Sequence, residues 1–149
     1  MKTLWNLFLK LWKKYEEAIN YLIWGGIAFV LSMGLYWLFV DVFGMTDWVS
    51  NIVDWIICVI FTYVTNRTFV FKSKTKSLKG IGKEFSEFVS ARLFTLVLEE
   101  VIILIGGTLM GYNKGLGAMV VKLIGQFVVI VSNYFLSKLW IFKEKKNEK

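Results

Sequence analysis

Residues 63–72 read YVTNRTFVFK and residues 134–143 read YFLSKLWIFK, so the chain carries two near copies of one stretch. Each copy closes an apolar run long enough to cross a bilayer, which takes about 20 mostly apolar residues. We therefore predict a duplicated membrane hairpin, in which residues at matching positions of the two copies share a role.

The composition also places the chain in lipid. Of its 149 residues, 56% are hydrophobic and 17% are aromatic, which is more apolar surface than one core of this size can hide. We predict an all-α membrane protein whose four transmembrane helices form two parallel-repeat hairpins. The apolar windows are residues 20–40, 49–66, 88–110 and 116–137. The predicted parts are an N-terminal segment, residues 1–18, the four-helix domain, residues 19–143, and a basic tail, residues 144–149.

Several kinds of site are excluded by what the sequence lacks. It contains no histidine, and its one cysteine, Cys58, lies inside the second apolar window without a second thiol to pair with. Disulfides, histidine bases and Cys/His zinc sites are therefore excluded within one chain. We expect no metal and no cofactor.

The first 18 residues are predicted to form an amphipathic helix on the cytoplasmic membrane surface. Large apolar side chains recur there at helical spacing, with lysines largely on the other faces. The apolar positions are Leu4, Trp5, Phe8, Leu11, Trp12 and Tyr15. A disordered basic leader is the alternative. The segment lacks the continuous apolar region and the cleavage site of a signal peptide.

Most of the 18 lysine and arginine residues lie in the leader, in the connection between the second and third helices, or in the tail. The other two connections hold only Lys114 as a basic residue. The positive-inside rule then places both termini and the middle connection, including a flexible loop at residues 73–82, in the cytoplasm. Because topology accounts for the net charge of +7, we expect no nucleic-acid partner.

Besides Asp54, four charged residues lie inside the apolar windows, where each charge costs roughly 2.5–3.5 kcal/mol near the bilayer centre. They are Arg92, Glu99 and Glu100 in the third helix and Lys122 in the fourth. Arg92 and Glu99 share a helix face, because seven residues turn through about 700°. Asp54, in the second window, is expected to be shallower and to reach water.

Uncharged polar residues extend this pattern. Lys122, Gln126 and Asn133 lie near one face of the fourth helix. Thr62 and Asn66 make a shorter stripe on the second. Facing one another, the stripes would enclose a polar groove whose contents must satisfy them. Two structural alternatives stay open: the asparagines only hold helices together, for under about 1 kcal/mol per contact, or a glutamate and a lysine form a structural ion pair.

The repeated ending comes with other landmarks in a fixed order, and together they resemble the GtrA-like family over about residues 18–143. The landmarks are Gly25, Gly26, Asn66, Arg67, Phe69, Val70, Phe71, Arg92, Lys122, Asn133, Lys138, Trp140, Ile141 and Phe142. The resemblance implies a small bacterial plasma-membrane protein that moves a polyprenyl-phosphate-linked sugar, typically undecaprenyl phosphate glucose, from the inner to the outer leaflet. There the sugar supplies a membrane glycosyltransferase that decorates teichoic acid, O-antigen or another envelope polysaccharide.

Two positions depart from the family pattern. Ser32 stands about where many relatives carry an acidic residue, and Ser137 stands in the second copy where the first has Asn66. Asn133, one turn before Ser137, offers the second copy an amide.

The charge of such a lipid suits the polar residues. A phosphodiester carries one negative charge, which would cost many kcal/mol to move through hydrocarbon alone. We predict that Arg92, Asn66 and Asn133 form an inner phosphate site, because arginine offers a planar fork of donors and the amides add neutral ones. Lys122 is predicted to be the second, outer step.

Glu99 and Glu100 lie between these cations in the sequence. We expect them to balance Arg92 and Lys122 when the groove is empty and to accept hydrogen bonds from sugar hydroxyls when it is filled. The phosphate would then compete with a glutamate for each cation. Gln126 belongs to the same predicted site. We predict no catalytic residue and no covalent chemistry, hence a transporter and not an enzyme.

The repeated ending is predicted to fix the second and fourth helices at the cytoplasmic interface. Aromatic rings would sit among the headgroups while basic side chains meet lipid phosphates. The predicted anchors are Arg67, Phe69, Phe71, Lys138, Trp140 and Phe142.

Two other functions stay open. One is a small four-helix drug/proton antiporter, although Arg92 and Lys122 would repel cationic drugs. The other is a membrane partner that holds a glycosyltransferase without transporting anything. A path for a large headgroup also leads us to expect a homo-oligomer.

Overall fold

The computed structural model describes residues 2–112 and 114–143, and no strand occurs among them. Their regular structure is helical throughout. The helices are α1, Lys2–Trp37, α2, Asp47–Thr65, α3, Leu78–Ile103, and α4, Gly115–Leu136. The predicted all-α architecture of four helices is confirmed.

Each of these helices continues into a short π-helical segment, in which backbone hydrogen bonds span five residues instead of four. The segments are Leu38–Val42, Asn66–Val70, Leu104–Leu109 and Ser137–Ile141. After α2 and α4 they start at the matching positions Asn66 and Ser137, whose carbonyls accept from the N–H groups of Phe71 and Phe142 at 2.8 and 2.9 Å. The repeat in the sequence is thus also a repeat in the backbone.

The N-terminal segment is helical, but α1 runs without a break from Lys2 to Trp37. A separate amphipathic helix before the first crossing is therefore not confirmed. Trp5 and Trp12 have exposed side chains. Their position at a membrane surface stays a prediction.

Helix α3 begins well before the apolar window at residues 88–110. Ser77 adopts an extended conformation, with φ −73° and ψ 139°, and its side chain accepts a hydrogen bond from the N–H of Gly80 at 3.1 Å. A serine cap of this kind satisfies one of the free N–H groups of the first turn. Because of it, the helix takes in part of the polar connection that was expected to be a loop.

Three stretches of the described residues are long and apolar enough to cross a membrane: Leu4–Val42, Asp47–Val70 and Gly115–Ile141. Helix α3 falls outside this set because Arg92, Glu99 and Glu100 lie within its apolar part. Many large apolar side chains of the three stretches are exposed, as at Phe29 and Phe127. In water such a surface would be an association site, whereas in a membrane it lies against apolar lipid chains. The exposed apolar side chains are therefore consistent with a membrane protein.

The chain divides into two compact units, the first ending at Ser73 and the second beginning at Lys74. In the first unit α1 packs against α2, and in the second α3 packs against α4. Each unit is therefore one helical hairpin.

An aromatic contact closes each hairpin at the end of the repeated stretch. Phe71 lies against Tyr21 with ring centroids 6.5 Å apart, and Phe142 lies against Phe88 at 6.3 Å. The last phenylalanine of each copy thus reaches back to the first helix of its own hairpin.

The second hairpin crosses closely where α3 gives way to its π-helical segment. A Cβ added at Gly106 would lie 2.7 Å from Val121 Cγ1, whereas one added at Gly107 would meet only Ile103 Cγ2, at 4.0 Å. Valine in a helix has essentially one rotamer and cannot turn aside. We expect Gly106→Ala to lower the free energy of unfolding by about 1–3 kcal/mol through overpacking, measured by denaturant titration in detergent.

Gly107→Ala is the matched control, since both changes replace a neighbouring glycine by alanine. We expect Val121→Ala to restore stability when combined with Gly106→Ala. Equal stabilities of the two glycine variants would contradict the close crossing.

Candidate functional site

A buried hydrogen bond joins α3 to α4. The hydroxyl of Thr95 donates to Asn133 Oδ1 at 3.0 Å, and both residues are buried. The same hydroxyl lies 3.1 Å from the carbonyl oxygen of Arg92. The structure therefore brings Asn133 to the helical turn that carries Arg92, as the phosphate-site prediction requires of these two residues.

Arg92 sits on an aromatic ring. Its guanidinium carbon lies 4.7 Å from the ring centroid of Phe88, a cation–π contact. Phe88 is fully buried and packs against Phe142. The repeated ending of α4 thus supports Arg92 through one intervening ring.

The expected pairing between the glutamates and the cations is not found. In the part of the chain that the structure describes, neither Arg92 nor Lys122 forms an ion pair, and Lys122 and Glu100 are exposed. The described ion pairs include Lys72 with Glu16, which lies elsewhere. Two residues seven apart share a helix face but lie about 10 Å apart along the axis, so Glu99 stays out of contact with Arg92.

Glu99 finds its partner on α4 instead. The side-chain amide of Gln126 donates to Glu99 Oε1. Glu99 passes close to Gly125 of α4, since a Cβ added at Gly125 would be in ordinary van der Waals contact with Glu99 Cγ, at 3.6 Å. Lys122 precedes Gln126 by one helical turn. The structure therefore brings Glu99 and Gln126 together, beside a lysine that holds no carboxylate among the described residues.

Asn66 lies in the first hairpin, while Arg92 and Asn133 lie in the second. Asn66 is 3% exposed, and its Oδ1 has no hydrogen-bond partner among the described residues. The grouping of Asn66 with Arg92 and Asn133 stays a prediction.

Sequence reasoning missed the polar contact inside the first hairpin. Asp54, expected to reach water, is 8% exposed. The hydroxyl of Ser32 donates to Asp54 Oδ2 at 2.5 Å, and the thiol of Cys58 donates to Oδ1 at 3.4 Å. The resemblance gave one signal, because it implies an acidic residue about where Ser32 stands, and here α2 brings a carboxylate to Ser32.

The predicted anchors fall into two groups. Phe69, stacked on Trp24 with centroids 4.8 Å apart, and Trp140 are exposed. Phe142 is only 6% exposed and packs inside its hairpin, as Phe71 partly does against Tyr21.

The two basic anchor residues differ in their surroundings. Arg67 is half-buried. Lys138 is exposed and donates to the hydroxyl of Tyr134 at 3.3 Å. The anchoring role stays a prediction for all six residues, and the exposed ones fit it best.

Comparison with known sequences gives consistent matches. The sequence profile of the GtrA/DPMS transmembrane domain family matches residues 20–142. The chain is 31% identical to the cell wall teichoic acid glycosylation protein GtcA of Listeria innocua, over 88% of this chain and 88% of that protein. It is 29% identical to the protein of the same name in Listeria monocytogenes, again over 88% of each chain.

A further relative carries no functional name. The chain is 30% identical to the uncharacterized membrane protein YwcD of Bacillus subtilis, over 86% of this chain and 98% of that protein. No solved structure matches the chain.

The Thr95–Asn133 contact generates a stability prediction. Thr95→Val keeps the side-chain shape but removes the donor, so we expect the unfolding free energy in lipid or detergent to fall by about 0.6–1.7 kcal/mol. Thr108→Val, at an exposed position, is the matched control and should change little.

Adding Asn133→Leu to Thr95→Val should recover part of the loss, because removing both partners leaves no buried polar group unpaired. A Thr95→Val protein as stable as the Thr108→Val protein would show that the hydrogen bond does not hold α3 to α4.

Proposed function

Because the chain belongs to the GtrA/DPMS transmembrane domain family, we propose that it is a translocase for a polyprenyl-phosphate-linked monosaccharide. The cargo is undecaprenyl phosphate glucose or a similar hexose derivative, carried from the inner to the outer leaflet of the bacterial plasma membrane. There it supplies a membrane glycosyltransferase that modifies teichoic acid or another envelope polysaccharide. Similarity to proteins named for cell wall teichoic acid glycosylation supports this destination.

The observation that carries the proposal is that the charge of Arg92 is not neutralised by any described carboxylate. Arg92 is a half-buried cation in a membrane helix, and it rests on the Phe88 ring. An uncompensated charge at such a position is costly and marks a functional site by default. The single negative charge of a lipid phosphodiester is the partner that it lacks.

The second hairpin also offers groups for a sugar. Glu99 accepts from Gln126 and keeps further lone pairs for hydroxyl donors, while the amide oxygen of Gln126 is a further acceptor. Sugar hydroxyls both donate and accept, so they match this pair. In this proposal no glutamate has to be displaced before the phosphate binds Arg92, because no described carboxylate forms an ion pair with Arg92.

Lys122 is the second step for the phosphate. It lies on α4 one turn from Gln126, toward the end of the hairpin opposite to Phe142. Helix α3 is the fourth crossing in this proposal, because its polar side chains Thr95 and Glu99 have partners on α4 and not in lipid.

The remaining features follow from the charge pattern and the size of the cargo. Both termini lie in the cytoplasm, the prenyl tail stays among the lipids, and the substrate leaves chemically unchanged. A homo-oligomer would provide a wider path for the headgroup.

Arg92→Ala should abolish most lipid movement, measured as transfer of a polyprenyl-phosphate hexose between leaflets of proteoliposomes at equal protein content. A charge-assisted hydrogen bond is worth about 1.5–3 kcal/mol, so lipid affinity should fall roughly 10- to 100-fold. Arg92→Lys, which keeps the charge and loses the fork, should be intermediate. Lys122→Ala should slow transfer as well.

Lys76→Ala, a change of an exposed lysine in the connection between the hairpins, is the control and should transfer lipid normally. Full activity of Arg92→Ala would refute the proposal. A protein that only holds a glycosyltransferase in place would move no lipid in vesicles that lack that enzyme.

A further inference from the structure

A polar residue stands at every fourth position from Ser50 of α2 to Asn66, the first residue of the π-helical segment that follows α2. We call this set the polar ladder; its members are Ser50, Asp54, Cys58, Thr62 and Asn66. Its ends are about 24 Å apart along the axis, most of the roughly 30 Å of a hydrocarbon core. Because each step of four residues turns about 40° beyond a full circle, the ladder winds about 160° around α2.

The middle of the ladder holds a carboxylate with neutral partners. Asp54 accepts from the hydroxyl of Ser32 and the thiol of Cys58. In the described part of the chain no lysine or arginine forms an ion pair with it. A buried carboxylate without a cation is expensive in hydrocarbon, and a bound proton removes that charge.

On α1 the group that faces Asp54 among the described residues is the Ser32 hydroxyl. One turn earlier, the Ala28 carbonyl oxygen lies 3.9 Å from the Cys58 sulfur and is a second, longer acceptor for that thiol. Tyr36, one turn beyond Ser32, is directed to Asp47. Along the sequence, the charged residues nearest to Ser32 and Asp54 are Asp41 and Asp47, and neither can neutralise a carboxylate.

Both ends of the ladder hold buried polar atoms that lack a partner among the described residues: Ser50 Oγ and Asn66 Oδ1. Ser50 is 0% exposed and Asn66 is 3% exposed. An unpaired buried polar atom costs about 1–3 kcal/mol, so each of these two atoms calls for an explanation, and a functional role or a bound water or ion is such an explanation. Between them, the Thr62 hydroxyl donates to the Cys58 carbonyl at 2.8 Å.

The two hairpins differ at this place. The aromatic pairs Tyr21–Phe71 and Phe88–Phe142 hold matching positions in the two hairpins. Counted from the first ring of each pair, Ser32 matches Glu99. Counted back from the second ring, Asp54 matches Gly125. Each hairpin thus holds one carboxylate at the same contact, supplied by α2 in the first hairpin and by α3 in the second.

The membrane cations are not repeated in this way. Gly25 stands where Arg92 would be expected in the first hairpin, and Asn51 stands where Lys122 would be. The first hairpin therefore has a buried acid without either of the two cations that are proposed to bind phosphate.

We propose that Asp54 is a proton-binding site, reached along the polar ladder, and that proton exchange there is coupled to the lipid movement of the proposed function. Only the coupling rests on that function; the proton site stands on α1 and α2 alone. A proton needs a single oxygen atom, whereas metal cations take several ligands, and the described residues gather no metal-binding group of His, Cys, Asp or Glu. The carboxylate gains one proton and later releases it, with no other bond changed.

Protonation is tested first without transport, on the full chain in lipid vesicles. Infrared difference spectra between two pH values should contain a protonated-carboxyl band that Asp54→Asn removes. Asp41→Asn, at an exposed position, should leave it in place. If the spectra of the wild-type and Asp54→Asn proteins contain the same protonated-carboxyl bands, the proton site is overturned.

Coupling is tested in proteoliposomes that contain a polyprenyl-phosphate hexose and an internal pH dye. One pH unit is worth 1.36 kcal/mol per proton, so a one-unit gradient should shift the leaflet distribution of the lipid about tenfold in the wild-type protein and in Asp41→Asn. Asp54→Asn should still bind the lipid but lose both the shift and the dye response. A gradient response that persists in Asp54→Asn, or one driven by sodium instead, overturns the coupling.

Asp54→Glu keeps a carboxyl at this position and should retain the infrared band and the gradient response, which covers the case of an unstable Asp54→Asn protein. If the wild-type protein moves no lipid while the band still maps to Asp54, the proposed function fails and the proton site remains. If the lipid moves without any pH response, the proposed function holds and the coupling fails.

Discussion

Hydrocarbon offers no hydrogen-bond partner, and the placement of polar side chains along these helices follows from that constraint. Thr95 meets Asn133, Glu99 meets Gln126, and Asp54 meets Ser32, each across the contact between the two helices of one hairpin. In every case a group that is costly in lipid is matched by an uncharged partner. Among the described residues Arg92 and Lys122 form no ion pair, and an unmatched charge inside a membrane marks a candidate functional site by default.

The repeated ending has a structural role that reaches beyond the interface. Its π-helical turn starts at Asn66 in one copy and at Ser137 in the other, and its last phenylalanine packs on the first helix of the same hairpin. In the second hairpin the ring beneath Phe142 also carries Arg92. A feature that the two hairpins share thus positions a residue that only one of them has.

The sequence predicts the helices well because long apolar windows and basic flanks are local signals. It places the start of α3 too late, because a serine cap extends the helix into polar residues that hydropathy does not register. It also pairs Glu99 with cations, since shared helix faces can be read from spacing. The actual partner, Gln126, lies on α4 and comes within reach only because α3 packs against α4, which spacing along one helix does not show. Asp54 and Ser32 are likewise 22 residues apart, so only tertiary structure brings them together.

A parallel repeat restricts how such a protein can work. Transporters built from inverted repeats reach their two states when the halves exchange conformations, but the parallel repeat predicted from the sequence would give no opposite state by exchange. Any preference for one leaflet must then come from differences between the hairpins. Those differences are chemical: the second hairpin adds Arg92 and Lys122, while the first keeps a hidden acid, Asp54, among neutral donors. In the proposed mechanism, this separation keeps the cations and the acid from neutralising each other within one hairpin, so that Arg92 and Lys122 would bind the lipid phosphate while Asp54 of the other hairpin would bind the proton.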